Sequence, residues 1–448
     1  MSIARGARAL VRRSRAAVLA LRPALALGLA LVLVCLAAPS AGAADEPAQE
    51  DGALRLSLPE VGLRARDLAV VVNDADRDSV EIGRYYAEKR GIAADHVIHV
   101  RFTPGEVMKF GDFEEVQSVL AAKVGADVQA YALAWTLPDR VECMSVTAAF
   151  AFGFDPGAFC AEGCQPTKAS PYFNSPSRAP FTDHKVRPAM LLAGLDVEST
   201  ERLIDRGLRA DDSWPAGRAY LVNTHDRGRN VRAASYPRVR RALGAAYPIE
   251  QVDTDALAGR SDVMFEFTGV AVVTDMATNR FLDGAIADDL TSFGGALTGR
   301  GQTTALDWLN AGATGSYGTA TEPCNYLAKF PDVAIVMARY LGGETLIEAY
   351  WKSVLMPGQG VFVGDPLARP FGGVRVTPTA KGTLVATRAL AAGNYVLEAA
   401  ASRIGPYKPV RLVRVVGVGV REMTLPTGDP RFFRLRRVAI EPAARAAS

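Results

Sequence analysis

Between Ser261 and Phe371 the chain repeats one pattern, a short apolar run that stops at Gly, Ser or Thr: S-D-V-M-F-E-F-T-G, A-I-A-D-D-L-T-S-F-G-G and W-L-N-A-G-A-T-G-S-Y-G-T. Buried parallel strands end this way, where the backbone leaves the sheet for a polar loop at its carboxyl edge. In open α/β sheets, ligands and reacting groups collect at that edge. The pattern therefore brings Thr268, Ser292 and Glu322 towards one place. Asp365, in the F-V-G-D-P that closes the stretch, is expected to hold a turn by accepting backbone N–H groups.

The chain upstream reads as more of the same sheet. Apolar runs L-A-V-V-V-N, H-V-I-H-V-R-F, Y-A-L-A-W-T-L-P, M-L-L-A-G-L-D and R-A-Y-L-V-N-T alternate with helical segments. Asp78 and Glu81 fit a capping box that opens the first helix, and Gly91 stops it. Further helices are expected over Phe113–Val124, from Ser199, over Tyr236–Ala246, over Thr304–Asn310 and over Val333–Leu341. The expected fold over residues 65–371 is α/β, a mostly parallel sheet with flanking helices, interrupted by a Gly-, Pro- and Ser-rich insert at 153–189. After Gly373 the pattern changes to period two with frequent Gly and Pro, which predicts a small β-sandwich over 374–440 and then a tail, 441–448. Its aromatics Tyr395, Tyr407, Phe432 and Phe433 could face a carbohydrate, although strand aromatics are usually core. The polar stretch 45–64 reads as a flexible spacer.

Charge bounds the partners. The formal net charge of the 448 residues is +3, but residues 1–44 hold six arginines and no acid. Without them 51 − 6 = 45 bases face 48 acids. A slightly acidic chain has no basic footprint for nucleic acid. Those first residues have a basic start, an apolar run from Ala24 to Ala38 and small residues at Ala41-Gly42-Ala43, the features of a secretory signal. The competing reading is a retained anchor, since the charge-free run is about long enough to span a bilayer. With the signal removed, no other stretch is expected to span. The chain is thus expected in the periplasm, cell envelope or medium, with an unidentified ligand or envelope component there as partner.

Cys143, Cys160, Cys164 and Cys324 remain after the leader, an even number that favours disulfides in an exported chain. A local Cys160–Cys164 bridge is expected, which leaves Cys143 for Cys324. The C-x-x-x-C spacing could also be half of a zinc site, but His184 stands alone. Asp74, Asp76 and Asp78 resemble the start of a calcium loop, yet Ser79 and Tyr85 stand where that loop needs Gly and Glu. No metal or cofactor is expected. Candidate binding residues at the strand ends are Asn73, Arg140, Thr268 and Asp365. A catalytic reading uses Ser292 as nucleophile, with the N–H groups of Phe293-Gly294-Gly295 facing an oxyanion and His225, Asp288, Asp289 or Glu322 supplying or orienting a base. In the plainer reading Ser292 caps a helix and Glu322 pairs with Arg140 or Arg300.

From Leu68 to Phe371 the chain resembles an uncharacterised family of exported bacterial proteins, through N-D-A-D-R-D-S-V-E-I-G-R-Y-Y-A-E-K-R-G-I, W-T-L-P-D-R-V-E-C, A-D-D-L-T-S-F-G-G, G-A-T-G-S-Y-G-T-A-T-E-P-C-N and F-V-G-D-P-L-A-R-P-F. More distantly, the order Phe267-Thr268-Gly269, Thr291-Ser292-Phe293-Gly294, Gly312-Ala313 to Gly318 and Gly364-Asp365-Pro366 resembles the layout of gingipain-type cysteine peptidases. That resemblance implies a caspase-like fold. It also places Thr268 where that family has its His, and Ser292 or Thr291 where it has its Cys. Without an imidazole and a thiolate the peptidase activity is not expected. The reading that follows is an exported binding or structural domain with no peptidase activity; the alternative is a hydrolase that uses Ser292.

Overall fold

The computed structural model of the protein describes residues 54–161 and 164–438. The expected leader, the first part of the spacer and the expected tail lie outside the described residues. Ten strands form one sheet: Leu68–Asn73 (β1), Val97–Val100 (β2), Ala130–Leu133 (β3), Ala189–Leu191 (β4), Arg218–Asn223 (β5), Ile249–Asp253 (β6), Val263–Thr268 (β7), Phe281–Asp289 (β8), Gly315–Thr319 (β9) and Gly360–Gly364 (β10). Their order is β6-β5-β7-β8-β9-β10-β4-β3-β1-β2. Every pair is parallel except β9 with β10. The chain twice lays down a strand, steps out to an edge and returns on the other side. The sheet therefore has two switch points at its carboxyl edge, one between β1 and β3 and one between β5 and β7, and such points open crevices.

The α-helices of six or more residues are Arg77–Arg90 (α1), Phe110–Lys123 (α2), Val146–Phe152 (α3), Val197–Ala210 (α4), Tyr236–Leu243 (α5), Ala305–Ala311 (α6), Val333–Leu341 (α7) and Leu346–Trp351 (α8). Helix α1 is capped by Asp76 rather than Asp78, its carboxylate accepting from the Asp78 N–H at 3.0 Å. With alternating aspartates the cap goes to the residue whose backbone is still extended, and Asp76 has φ −121°. Gly91 ends the helix in the left-handed region at φ 64°. Ile82, Gly83 and Tyr86 face the sheet. Gly83 lies so close to Val72 that a Cβ there would come within 2.3 Å of it.

A buried cluster ties the first helix to the last strand of the ten-stranded sheet. Asp365, fully buried after β10, accepts from the Tyr86 hydroxyl at 2.9 Å and from the Leu367 N–H at 3.1 Å, and it pairs with Arg90, which also holds Asp211. Helix α4 reaches this cluster through Gly207, where a Cβ would lie 1.9 Å from the Asp365 carboxylate. The expected turn at Asp365 is present, and its carboxylate also fixes two helices.

The C-terminal region forms two smaller sheets from Arg375–Thr379 (β11), Gly382–Thr387 (β12), Gly393–Ala400 (β13), Lys408–Val415 (β14), Arg421–Leu425 (β15) and Phe432–Val438 (β16). Strands β11-β12-β15 make one sheet, and β16-β13-β14 lie in the other. Val385, Tyr395, Leu397, Met423, Phe433 and Leu435 form a core between them. Tyr395, Phe432 and Phe433 are therefore buried, and Tyr407 lies over Arg434. The spacer reading needs correcting. Arg55–Ser57 is a strand parallel to Phe432–Arg434 at the edge of the second sheet, and Leu54, Leu56 and Leu58 pack on the same core. Three residues carry too little alternation to be read as a strand when their partner lies more than 370 residues away, the last strand among the described residues.

The cysteine pairing also differs from the local expectation. The bridges are Cys143–Cys160 and Cys164–Cys324, with Cα separations of 5.6 and 5.4 Å. Cys160 ends the short helix Pro156–Phe159, which delivers it to Cys143 in the turn between Arg140–Val141 and Met144–Ser145. Cys164 is left to reach across the insert. Two disulfides are the chemistry of an oxidising compartment, and no helix among the described residues is long and apolar enough to cross a membrane. Non-reducing peptide mapping is expected to yield Cys143–Cys160 and Cys164–Cys324 linked peptides. Replacing Cys164 and Cys324 by Ser should cost about 3–5 kcal/mol in denaturant unfolding, because that bridge closes the longer loop.

Candidate functional site

The carboxyl ends of β7, β8 and β9 lie side by side, as the three apolar runs imply. Strand register pairs Phe267 with Asp288 and Thr268 with Asp289. Successive residues point to opposite faces of a sheet, so Asp288 shares a face with Phe267, while Asp289 shares the other with Thr268 and Glu266.

On the first face Arg232 is buried beneath the strand ends. It sits on the Asn230–Ser235 turn that precedes α5. Its Nε and Nη2 donate to the Thr268 carbonyl at 3.0 and 2.6 Å; Nη1 donates to the Asp288 carboxylate and Nη2 to the Asp288 carbonyl, at 2.5 and 2.6 Å. Burial pushes the Asp288 carboxyl up, and the Arg232 guanidinium pulls it back down.

Among the described residues no cation is hydrogen-bonded to the acids of the second face, although Arg232 and Arg229 lower Asp289 from a distance. Glu266 is buried, its Oε2 has no hydrogen-bond partner, and burial beside Asp289 pushes its pKa up to about 8. Burial pushes Asp289 up to about 7, opposed by the Val270 N–H bonded to its Oδ1 at 3.0 Å, while Oδ2 has no partner.

Above these strand ends lies a cleft of about 230 Å³, lined by Arg229, Thr291, Ser292, Glu322, Cys324 and Asn325 among others. Arg229 is held by Asp226 at 3.0 Å and donates to the Thr291 hydroxyl at 3.1 Å, which in turn donates to Gln302 at 2.8 Å. Glu322 Oε1 accepts from the Cys324 N–H at 2.7 Å. The Cys164–Cys324 bridge makes one wall, so the insert is pinned to the cleft.

Ser292 and Glu322 are thus brought together, as expected. The other candidates are not among the cleft's lining residues. His225 is exposed and its Nδ1 faces Asp255 at 3.2 Å. Arg140 pairs with Glu106 at 2.7 Å, and Arg300 shares that carboxylate, so neither pairs with Glu322. Asn73 is buried, its amide joined to Phe102 and Ala75. Thr268 is buried beneath its bonds to Arg232, and Asp365 belongs to the cluster at α1.

Ser292 does not start a helix: residues 292–295 turn, and α6 begins only at Ala305. The glycines let this turn lie against β9, since a Cβ on Gly295 would come 2.5 Å from the Gly318 carbonyl. The expected oxyanion donors are largely taken. The Phe293 N–H bonds Gln302 at 2.9 Å, and the Gly295 N–H bonds the Thr319 carbonyl at 2.9 Å.

Comparison with family models, curated proteins and solved structures finds no match.

Two features escaped the sequence reading. Lys329 has a fully buried ammonium with no hydrogen-bond partner; burial pushes its pKa down, and the Glu322 carboxylate partly offsets this. A cavity of about 480 Å³ opens at the other switch point, between Asp76, Ser79, Trp135, Leu137, Leu195 and Asp196. Only the strand order could have located it.

The raised carboxyls make stability depend on pH. Glu266 keeps its proton longer in the folded chain than in the unfolded one, so its contribution is greatest below the ordinary 4.5 and is lost as pH rises to about 8. Glu266→Gln is expected to leave stability at pH 5 almost unchanged and to raise it at pH 8.5 by about 1–3 kcal/mol. Urea unfolding at both pH values checks this; an unchanged slope would show that Glu266 does not titrate in this range.

Proposed function

We propose that the chain is an exported binding protein without peptidase activity, which takes a small polar ligand in the cleft at Arg229, Ser292, Glu322 and Asn325. The observation that carries this reading is the bonding of the strand ends. The Thr268 carbonyl and Asp288 are occupied by Arg232, and the turn after Ser292 has its Phe293 and Gly295 N–H groups bonded internally. A serine nucleophile needs a base in reach and donors free to meet an oxyanion. Ser292 Oγ has no hydrogen-bonded base among the described residues, and His225 is turned to Asp255. The cleft is below the usual range of about 300–1,000 Å³ for drug-sized ligands, which suits a small ligand or the end of a larger one.

A gingipain-like, caspase-like fold is supported by where the four motifs fall. Thr268, Ser292, the run to Gly318, and Gly364-Asp365 close or occupy β7, β8, β9 and β10, four neighbouring strands in that order. Membership of the uncharacterised exported family rests on the quoted motifs, and the two disulfides suit that compartment.

The alternative, a hydrolase using Ser292, has one favouring observation in Lys329, a buried amine with a lowered pKa beside Glu322. A fluorophosphonate probe separates the readings. The intact mass of the chain is expected to be unchanged by the probe. An adduct that disappears in Ser292→Ala would overturn the binding reading. A panel of small polar compounds is expected to give a ligand that raises the melting temperature, with the rise lost in Arg229→Ala.

A further inference from the structure

The charge of the chain is unevenly placed. Residues 374–438 hold twelve Lys and Arg against three Asp and Glu, whereas residues 54–373 hold 32 against 40. The small C-terminal sheets are strongly basic and the α/β body is acidic.

Strand register shows where that charge goes. In the sheet formed by β16, β13 and β14, Tyr395, Leu397, Phe433 and Leu435 point into the core. Alternation then turns Arg434 and Arg436 of β16, Val396 and Glu398 of β13, and Leu412 and Arg414 of β14 outwards. Leu412, Val396 and Arg436 form one row across three strands. Glu398 is already held by Arg434 at 2.6 Å and Arg436 at 2.9 Å. Arg414 shares that outer face, while Lys408 and Arg411 pair with Ala399 and Leu397 on the other side and are exposed because β14 is the edge strand.

The same edge carries exposed apolar side chains: Leu412 is 72% exposed, Val410 56%, and Ile404, in the loop that enters β14, 95%. Single exposed apolar residues are ordinary, but a group of them among unneutralised cations marks an interaction surface.

We propose that this outer face and the β14 edge dock on an anionic lipid surface. The reading is independent of the cleft. Arginine and lysine near such a surface are drawn to lipid phosphates. Leu412, Val410 and Ile404 can enter the boundary between headgroup and acyl chain, where apolar burial adds to the electrostatic attraction. A soluble polyanion would engage the cations and leave these side chains in water.

The test is sedimentation of the chain from residue 45 with vesicles of phosphatidylglycerol and phosphatidylethanolamine, against vesicles of phosphatidylcholine. Binding is expected to the anionic vesicles alone. It should weaken as salt rises from about 0.1 M to about 1 M, which shortens the screening length from about 10 to about 3 Å. Arg411→Glu with Arg414→Glu should lower the partition coefficient at least about tenfold. Leu412→Ser with Ile404→Ser should also lower it, with circular dichroism melts unchanged in both variants. Equal partition to both vesicle types, or partition unaffected by either pair of substitutions, overturns the proposal. So does sensitivity to the charge reversals alone together with equally tight binding to heparin or duplex DNA, which would assign the face to a soluble polyanion. A mass that rises with concentration in the absence of vesicles and is lost on charge reversal would assign it instead to the acidic body of a second copy.

Discussion

The buried Arg232 guanidinium is the interaction on which the carboxyl edge of the sheet depends. A charge taken out of water is tolerated only when its donors meet partners, and removing one partner of such a pair typically costs about 3–5 kcal/mol. Arg232 meets the Thr268 carbonyl and both the carboxylate and carbonyl of Asp288. It therefore locks the ends of two neighbouring strands to the turn before α5. The Phe267 ring lies 5.4 Å from its guanidinium, and the Tyr350 hydroxyl approaches the other Asp288 oxygen at 3.4 Å. Thr268 is thus fastened through its backbone carbonyl as a structural joint.

The adjacent aspartates show how the two faces of one sheet solve the same problem differently. Asp288 is desolvated and neutralised by a cation. Asp289, one residue on, points the other way and finds a single backbone N–H. With Glu266 close by and no cation hydrogen-bonded to either carboxyl among the described residues, burial outweighs the pull of Arg232 and Arg229 on Asp289, and the second face keeps its protons to higher pH. Two neighbouring buried acids without hydrogen-bond partners on their outer oxygens are costly for a fold. The parallel register fixes the arrangement, because a one-residue shift of β8 would exchange the two aspartates between faces.

The local patterns in the sequence carried much of this fold. The apolar runs from Leu68, His96, Tyr131, Met190 and Arg218 all lie in strands or extend from them, and Val333–Leu341 is a helix over its expected span. The change to period two after Gly373 marks the two small sheets. Information that depends on distant partners was not legible. Arg55–Ser57 is a strand only because Phe432–Arg434 is there to pair with it. Cys160 and Cys164 are neighbours in sequence, yet a short helix turns one towards Cys143 and leaves the other to Cys324. At the site, Ser292 and Glu322 could be brought together from strand endings alone. The role of Thr268 could not, since it is set by an arginine 36 residues earlier.

The bonding of the Ser292 turn decides what kind of recognition the cleft can support. Anion sites at strand ends usually work through free backbone N–H groups aimed at the ligand. Here the Phe293 amide is held by Gln302 and the Gly295 amide by β9. The groups left to a ligand are mainly side chains: the Arg229 guanidinium, the Ser292 hydroxyl, the second oxygen of Glu322 and the amide oxygen of Asn325, whose nitrogen already donates to the Gly228 carbonyl at 3.2 Å. Such a set offers donors and one anion on opposite walls, a match for a small molecule that carries both hydrogen-bond acceptors and a donor or positive charge. Asp226 and Thr291 hold Arg229, and the disulfide at Cys324 holds the opposite wall. The spacing between the two walls is therefore largely set before a ligand arrives, which lowers the ordering cost of binding.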